Sequence, residues 1–342
     1  MKVLCFARIQ DPTLFAILEF YSEDFAIIER LGFEVIIEHR ICAAVTSDAD
    51  IVYAWWGASA LPVLLLFRAL GRKCVLTGAI GFRDAGDRRR KRWPRSLLII
   101  LASRVAHCTL AVSQFELKDL HRFGIRNARL AYHSVDTEYF QPGLKSRQPT
   151  AVTVGQLNLS SIARKGIGTA VAATALVRRT IPTFELTVAG LVSDDGRDWL
   201  ERARRQYDFS GVNIVGDVDR TAKRSLLQSA WVYLQPSRYE AFGVAVAEAM
   251  ACGTPVIHSL GGALPEVVGD GGVAVDGECS PERLAAAIVA TLSAPTELGL
   301  CAARARMRAL DFTRTGRQVS LDRAFQSVLG RGYRAAEDGQ HA

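Results

Sequence analysis

The 342-residue sequence predicts an α/β fold with two parallel-sheet domains in tandem, on three observations. Short apolar runs of strand length alternate with helical segments, the pattern of a parallel sheet covered on both faces. A polar stretch containing Pro142, Gly143 and Pro149 interrupts this alternation at residues 141–150, after which it restarts. With 49% hydrophobic residues, the chain is long and apolar enough for two cores. Two such units imply a cleft, a favoured place for ligands. The expected division is residues 1–145, residues 146–315, and a C-terminal helix with a tail over 316–342, able to pack back on the first domain.

In chain order, residues 3–6 read as a strand and 15–31 as a helix stopped by Gly32. Strands follow at 34–37 and 51–54, then a helix at 59–70 stopped by Gly71, and a strand at 74–77. An apolar helix covers 96–105. A strand at 109–112 leads to Ser113, placed to cap a helix that runs to Phe123 and ends at Gly124. In the second half, strands are expected at 151–154, 185–188, 212–215 and 231–234, with another beginning at Val256. Helices are expected at 168–179, 221–229 and 242–252. The residues after Arg334 read as a frayed polar tail.

Composition narrows the function classes. Seven scattered cysteines, an odd number with no C-x-x-C pair, fit a reducing compartment better than a disulfide framework and make zinc unexpected. No secretory leader is recognised, and the longest apolar runs, 61–67 and 97–102, are too short to span a bilayer. The expected location is cytoplasmic. The net charge of +7 is uneven: Arg83, Arg88, Arg89, Arg90, Lys91, Arg92 and Arg95 crowd one loop, opposed by Asp84 and Asp87. Such a block is either a solvated loop or an anion-binding surface, for which peripheral contact with an anionic membrane at the inner face of the cell is the expectation. No nucleic-acid module is recognised, and nucleic acid is not expected as a partner.

The chemistry concentrates in PSRYEAFGVAVAEAMACGTPVIHSLGG, residues 236–262. Strand, loop, helix and strand succeed one another, with Glu240 in the loop and Glu248 within the helix. Ligands of open α/β sheets bind at the carboxyl ends of strands. Carboxylates there suit sugar hydroxyls, and helix-start amides suit phosphate. Gly261 and Gly262 let the backbone approach a ligand closely. Gly155 and Gln156 end a strand, and Arg164 and Lys165 stand at a helix entrance, as cations for a diphosphate. An exposed basic turn and a structural glutamate pair remain the plainer readings of these segments taken alone. Asp217 and Asp219 read as helix-capping residues rather than a metal site.

The run PSRYEAFGVAVAEAMACGTPVI followed by GGALPEVVGDGG resembles the C-terminal signature of the family 4 retaining glycosyltransferases, which have the GT-B fold of two Rossmann-like domains facing a cleft. VGQLNLSSIARKG looks like the family's phosphate-binding loop, the segments near Gly190 and Val215 like those beside the base, and AYHSVDTEYFQP like the element before the interdomain linker. The resemblance implies that Glu248 binds the ribose hydroxyls, Glu240 contacts the transferred sugar and Lys165 holds the diphosphate. Ala241, Phe242, Gly243, Val244 and Gly262 would line the donor. Three departures stand out. Gln156 occupies a position usually held by arginine, for which Arg164 is the candidate substitute. Ala7-Arg8-Ile9-Gln10 replaces a glycine-rich loop. The catalytic histidine of the N-terminal domain has no clear match, and Asp84, after a glycine pair, is the candidate for acceptor contact or proton acceptance.

The implied reaction moves a hexosyl unit from a UDP- or GDP-linked sugar to a glycan, lipid-linked or polysaccharide acceptor, with retention at the anomeric carbon. The nucleotide sugar is a co-substrate, and neither cofactor nor metal is expected, because cations and helix starts stabilise the leaving diphosphate. A non-catalytic nucleotide-sugar-binding subunit and a nucleotide-sugar epimerase on the same fold are the alternatives.

Overall fold

The first sheet orders its strands β2-β1-β3-β4-β5-β6, all parallel, from β1 (Lys2–Phe6), β2 (Glu34–Glu38), β3 (Ile51–Trp55), β4 (Lys73–Thr77), β5 (Cys108–Ala111) and β6 (Ala128–Leu130). The structure is a computed structural model and describes residues 1–78 and 93–330. All five residues of β3 are buried, as a central strand covered on both faces requires. Because side chains alternate across a strand, each strand feeds two cores. Leu4, Phe6, Val52, Ala54 and Leu76 join Leu64 and Phe67 of the helix Gly57–Ala69. Val3, Cys5, Ile51, Tyr53 and Val75 face Ile27 and Ile28 of the helix Glu19–Arg30, together with Leu321, Ala324 and Phe325 of the helix Arg314–Leu329.

This unit differs from the sequence expectation in several features, among them an unexpected short helix, Ile41–Val45. The single helix expected at 15–31 is two, Leu14–Ile17 and Glu19–Arg30, parted at Leu18, whose backbone is extended. The break turns Phe15 back onto Tyr21, ring edge to face at 5.1 Å. The edge strand β6 was not anticipated. It is only three residues long, with Arg129 exposed at its centre, too little for an alternation signal.

The second sheet contains β7 (Thr150–Val154), β8 (Glu185–Ala189), β9 (Val212–Val215), β10 (Val232–Gln235), β11 (Val256–His258) and β12 (Gly272–Ala274) in the order β12-β11-β10-β7-β8-β9. It too is parallel throughout. The connections from β7 run outward through β8 and β9, then return to place β10 on the other side of β7. The β7–β10 boundary is therefore the point where strand order reverses, the usual ligand position in such sheets. Side chains of Asn158, Ser193, Asp219 and Ser280 cap four helices of this unit, each accepting from an amide three residues on.

Contacts divide the described chain between Ser134 and Val135 and again between Thr313 and Arg314. The polar stretch 141–150 is held within the second unit. Gln228 Nε2 donates to Gln141 O at 2.7 Å, and Lys145 Nζ donates to Ala230 O and Thr254 Oγ1 at 2.8 and 2.7 Å. The helix Arg314–Leu329 belongs to the first unit. Among the described residues, no single helix is long and apolar enough to cross a membrane.

Candidate functional site

At the C-terminal ends of β7 and β10 the second unit assembles a charged cluster around Glu240. Its side chain is 10% exposed. Four groups converge on Oε1: Arg164 Nη1 at 2.8 Å, Gln235 Nε2 at 2.9 Å, Lys165 Nζ at 3.3 Å and Ser237 Oγ at 3.4 Å. Among the described residues, no hydrogen bond or ion pair reaches Oε2. Burial pushes the Glu240 carboxyl up, but Lys165 and then Arg164 outweigh it and hold the group below the ordinary carboxylate value. The site thus presents an ionised carboxylate with one oxygen crowded by donors and the other open, beside two cations.

Local sequence explains how the cations arrive. A short helix, Leu159–Lys165, is capped by Asn158 and ends at Gly166, whose φ of +69° turns the chain into the helix Ile167–Val177. The expected single helix at 168–179 is therefore preceded by a separate turn of helix, whose last two residues are Arg164 and Lys165. A side chain at Gly166 would collide with Pro236 O, 2.4 Å from an added Cβ, so the turn packs directly against the loop leading to Glu240. Lys165 crosses over Gly155 and also donates to Val154 O at 3.3 Å.

The loop after β10 is fixed by a bridge between Glu240 and Gly262. Ala263 N donates to Glu240 O at 2.8 Å, and Gly262 has a φ of +68°, with Glu240 O only 2.2 Å from where its Cβ would stand. Ala241 and the buried Phe242 follow; Phe242 packs edge to face on Phe312 at 5.1 Å. Gly243 then starts the helix Val244–Ala251. On that helix Glu248 is almost wholly buried and pairs with Lys223 Nζ at 2.8 Å. Burial first, and then both glutamates, raise the Tyr233 hydroxyl above its ordinary range.

The remaining residues expected at the site fall on neighbouring strand ends. Gly155 N donates to Ala189 O at 2.9 Å, and a Cβ on Gly190 would lie 2.0 Å from Gly155 O, so these two loops touch backbone to backbone. Val215 closes β9 and is exposed. Gln156 lies at the mouth of β7, half-buried, with Oε1 3.5 Å from Asn158 Nδ2, and is not among the groups that hydrogen-bond Glu240. Arg164 instead supplies the second cation of the cluster. Asp219 caps the helix Arg220–Ser229 through Ala222 N at 2.7 Å. Asp84 and residues 83–92 of the basic loop lie outside the described residues.

Gln235 and Lys223 were missed from sequence. A glutamine ending a buried strand is a usable signal for the first. Nothing local marks Lys223, whose partner is 25 positions away.

The family model for glycosyl transferases group 1 matches residues 134–308. Glycogen synthase of Mycobacterium tuberculosis is 35% identical over 194 residues, covering 50% of this chain and 46% of that protein. The chain thus spans about half the length of that relative. Among solved structures, sucrose-phosphate synthase from Thermosynechococcus elongatus superposes with a TM-score of 0.71 at 22% identity, over 94% of this chain and 80% of that one. HepE from Anabaena, solved with UDP and glucose, superposes with a TM-score of 0.75 at 17% identity, over 96% of this chain and 100% of that one. These likenesses give the fold, two parallel-sheet α/β units of the GT-B kind. With the Glu240 cluster at a strand-order reversal and more than half of the sequence under the family model, the chain belongs to the glycosyl transferases group 1 family.

Proposed function

We propose that the protein transfers a hexosyl unit from a nucleoside diphosphate sugar, with retention at the anomeric carbon, to a glycan or lipid-linked acceptor. The observation that carries this reading is Glu240, with Oε1 held by two cations and Oε2 open at the strand-order reversal. Arg164 and Lys165 would receive the diphosphate, and Oε2 would accept hydroxyl hydrogens of the transferred sugar. Glu248 would take the ribose hydroxyls, with Gly190 and Val215 beside the base. The glycogen synthase relative and HepE with UDP and glucose favour a glucosyl nucleotide as the first donor to try.

As the bond from the anomeric carbon to the leaving phosphate breaks, negative charge grows on the diphosphate and the sugar ring gains oxocarbenium character. Lys165 and Arg164 would stabilise the former; preorganised contacts of this kind are often the largest catalytic contribution. Double displacement would need a nucleophilic carboxylate beneath the ring. Glu240 is a poor candidate, since its charge is engaged by two cations. Attack by the acceptor on the face the phosphate leaves is therefore the route proposed, without a metal ion. A lipid-linked acceptor is favoured by the exposed Leu97, Leu98 and Leu101 on the helix Trp93–Val105, which follows the basic loop.

Thermal shift with UDP, GDP, ADP and their sugars, on wild type and Lys165→Ala side by side, tests the site. One nucleotide should raise the melting temperature of the wild type and lose that effect in the variant, with donor turnover reduced about 100-fold or more. No shift with any nucleotide at millimolar concentration would overturn the donor site. Binding without turnover, with acceptors present, would favour the non-catalytic reading, and turnover to an epimerised donor without an acceptor would favour the epimerase.

A further inference from the structure

At the start of the helix Ile167–Val177, the loops after β10, β11 and β12 border a groove of about 740 Å³. It takes Ser237 and Arg238 from the loop that carries Glu240, but Glu240, Arg164 and Lys165 are not in its described lining. The helix Asp194–Gln206 contributes Trp199, with Tyr207 just beyond its end. An added Cβ on Gly168 would stand 3.5 Å from the Trp199 indole and 3.6 Å from the Tyr207 hydroxyl, so both aromatic residues border the same bare stretch of backbone. Each packs against the core of the unit and keeps part of its surface in the groove. Arg238 and Glu278 are exposed and also line it. Among the described residues, no hydrogen bond or ion pair engages the Arg238 guanidinium, the Glu278 carboxylate, Trp199 Nε1 or the Tyr207 hydroxyl.

We propose that this groove binds a neutral oligosaccharide, with Trp199 and Tyr207 against the sugar rings and Arg238 and Glu278 on their hydroxyls. Its volume lies within the range of about 300–1,000 Å³ usual for small-ligand sites. Tryptophan and tyrosine offer flat apolar faces with a polar tip, which suits sugar rings, whose C–H faces are rimmed by hydroxyls. A guanidinium supplies donors and a carboxylate supplies acceptors, so together they match hydroxyls, which act as both. Arg238 and Glu278 are the two charged side chains of the described lining and they cancel, so the groove has no single-signed field to draw in a phosphate or an ammonium. In a transferase such a groove holds the acceptor chain beside the reacting centre; that role rests on the reading above, whereas the binding itself does not.

Isothermal titration of the full chain with maltoheptaose, and with an α-linked mannotetraose, tests the groove. Wild type should bind one of the two. Lys165→Ala should bind it equally well, which separates the groove from the donor site. Arg238→Ala and Glu278→Ala combined in one chain should lower the affinity about tenfold at an unchanged melting temperature. Trp199→Leu, which keeps an apolar contact with the core and loses the ring, should do the same; the paired exposed substitutions carry the test if that variant does not fold. No binding of either saccharide at millimolar concentration, or an affinity that survives both sets of substitutions, would overturn the inference. Loss of saccharide binding in Lys165→Ala would place the sugar at the donor site and overturn it too. A heparin tetrasaccharide that binds more tightly than either neutral sugar, and loses its affinity in Arg238→Ala, would make the groove an anion site instead. Saccharide binding that follows these expectations, in a protein that binds no nucleotide, would sink the transferase reading and leave the groove standing.

Discussion

Asp24 in the first unit and Glu240 in the second are both buried carboxylates that face arginine, yet one is closed and the other is open. Both oxygens of Asp24 are taken: Arg317 Nε donates to Oδ1 at 2.9 Å, while Arg317 Nη2 and the Tyr53 hydroxyl donate to Oδ2 at 2.8 and 2.7 Å. Arg317 is fully buried and also donates to the carbonyls of Ala131 and Tyr132. Every strong donor has an acceptor within the unit, so this network has no room for a ligand. Glu240 gathers four donors on one oxygen and leaves the second open. Shared ingredients therefore do two jobs. Bidentate arginine ties the helix Arg314–Leu329 to the helix Glu19–Arg30, whereas the crowded, one-sided arrangement leaves cations and an acceptor oxygen available at a strand-order reversal.

The largest test of this contrast is Arg317→Met. It leaves Asp24 buried without its cation, a change that typically destabilises by about 3–5 kcal/mol. Urea unfolding should show that loss, or no folded first unit; a change under 1 kcal/mol would show that the Asp24 network is not structural. The second is Glu240→Gln. Transfer should fall about 100-fold with little effect on melting temperature. Affinity for the free nucleoside diphosphate should rise a few-fold, since Arg164 and Lys165 lose the anion that competes with phosphate. A large loss of stability instead would place Glu240 with Asp24 as a structural carboxylate.

The smallest test concerns Glu116 in the first unit. Burial pushes its carboxyl up from 4.5 to about 8, despite the hydrogen bond that Val112 N donates to Oε2 at 2.6 Å. Between those values the unfolded chain has released the proton while the folded chain keeps it, so stability contributed by this group falls as pH rises from about 4.5 through 8. Glu116→Gln should remove that slope and gain on wild type by on the order of 4 kcal/mol at pH 9 relative to pH 5. Parallel stability profiles for the two proteins would show that Glu116 ionises as freely in the folded state as in the unfolded one.

Much of this was legible in the chain. Strands of a parallel sheet covered on both faces read as short apolar runs, which is why ten of the twelve strands among the described residues could be placed within a residue or two. The missed ones, β6 and β12, are three residues each and only partly buried, whereas the equally short β11 is buried throughout. The spacing of Glu240 and Glu248 around a helix start, and the Arg164–Lys165 pair before a glycine, pointed to one mouth because strand–loop–helix order fixes which ends face it. Local sequence also gave Ser113 as a helix cap, since Ser113 Oγ accepts from Glu116 N only three residues on.

Tertiary structure decided the rest. The partner of Glu240 is 75 or 76 positions away, that of Asp24 is 293, and no periodicity reports contacts at such separations. The polar stretch 141–150 reads as a linker by composition but is held to the second unit by Lys145, Ser146 and Gln228. Arg317 carries a charge that nothing local in sequence marks as internal, and its side chain is fully buried. Composition and spacing thus determined which residues could serve as strands, caps and charged ligand groups. Which carboxylate ended closed and which ended open was settled by how distant donors met it in the packed fold, because a carboxylate offers only two oxygens and the groups that fill them are chosen by three-dimensional proximity.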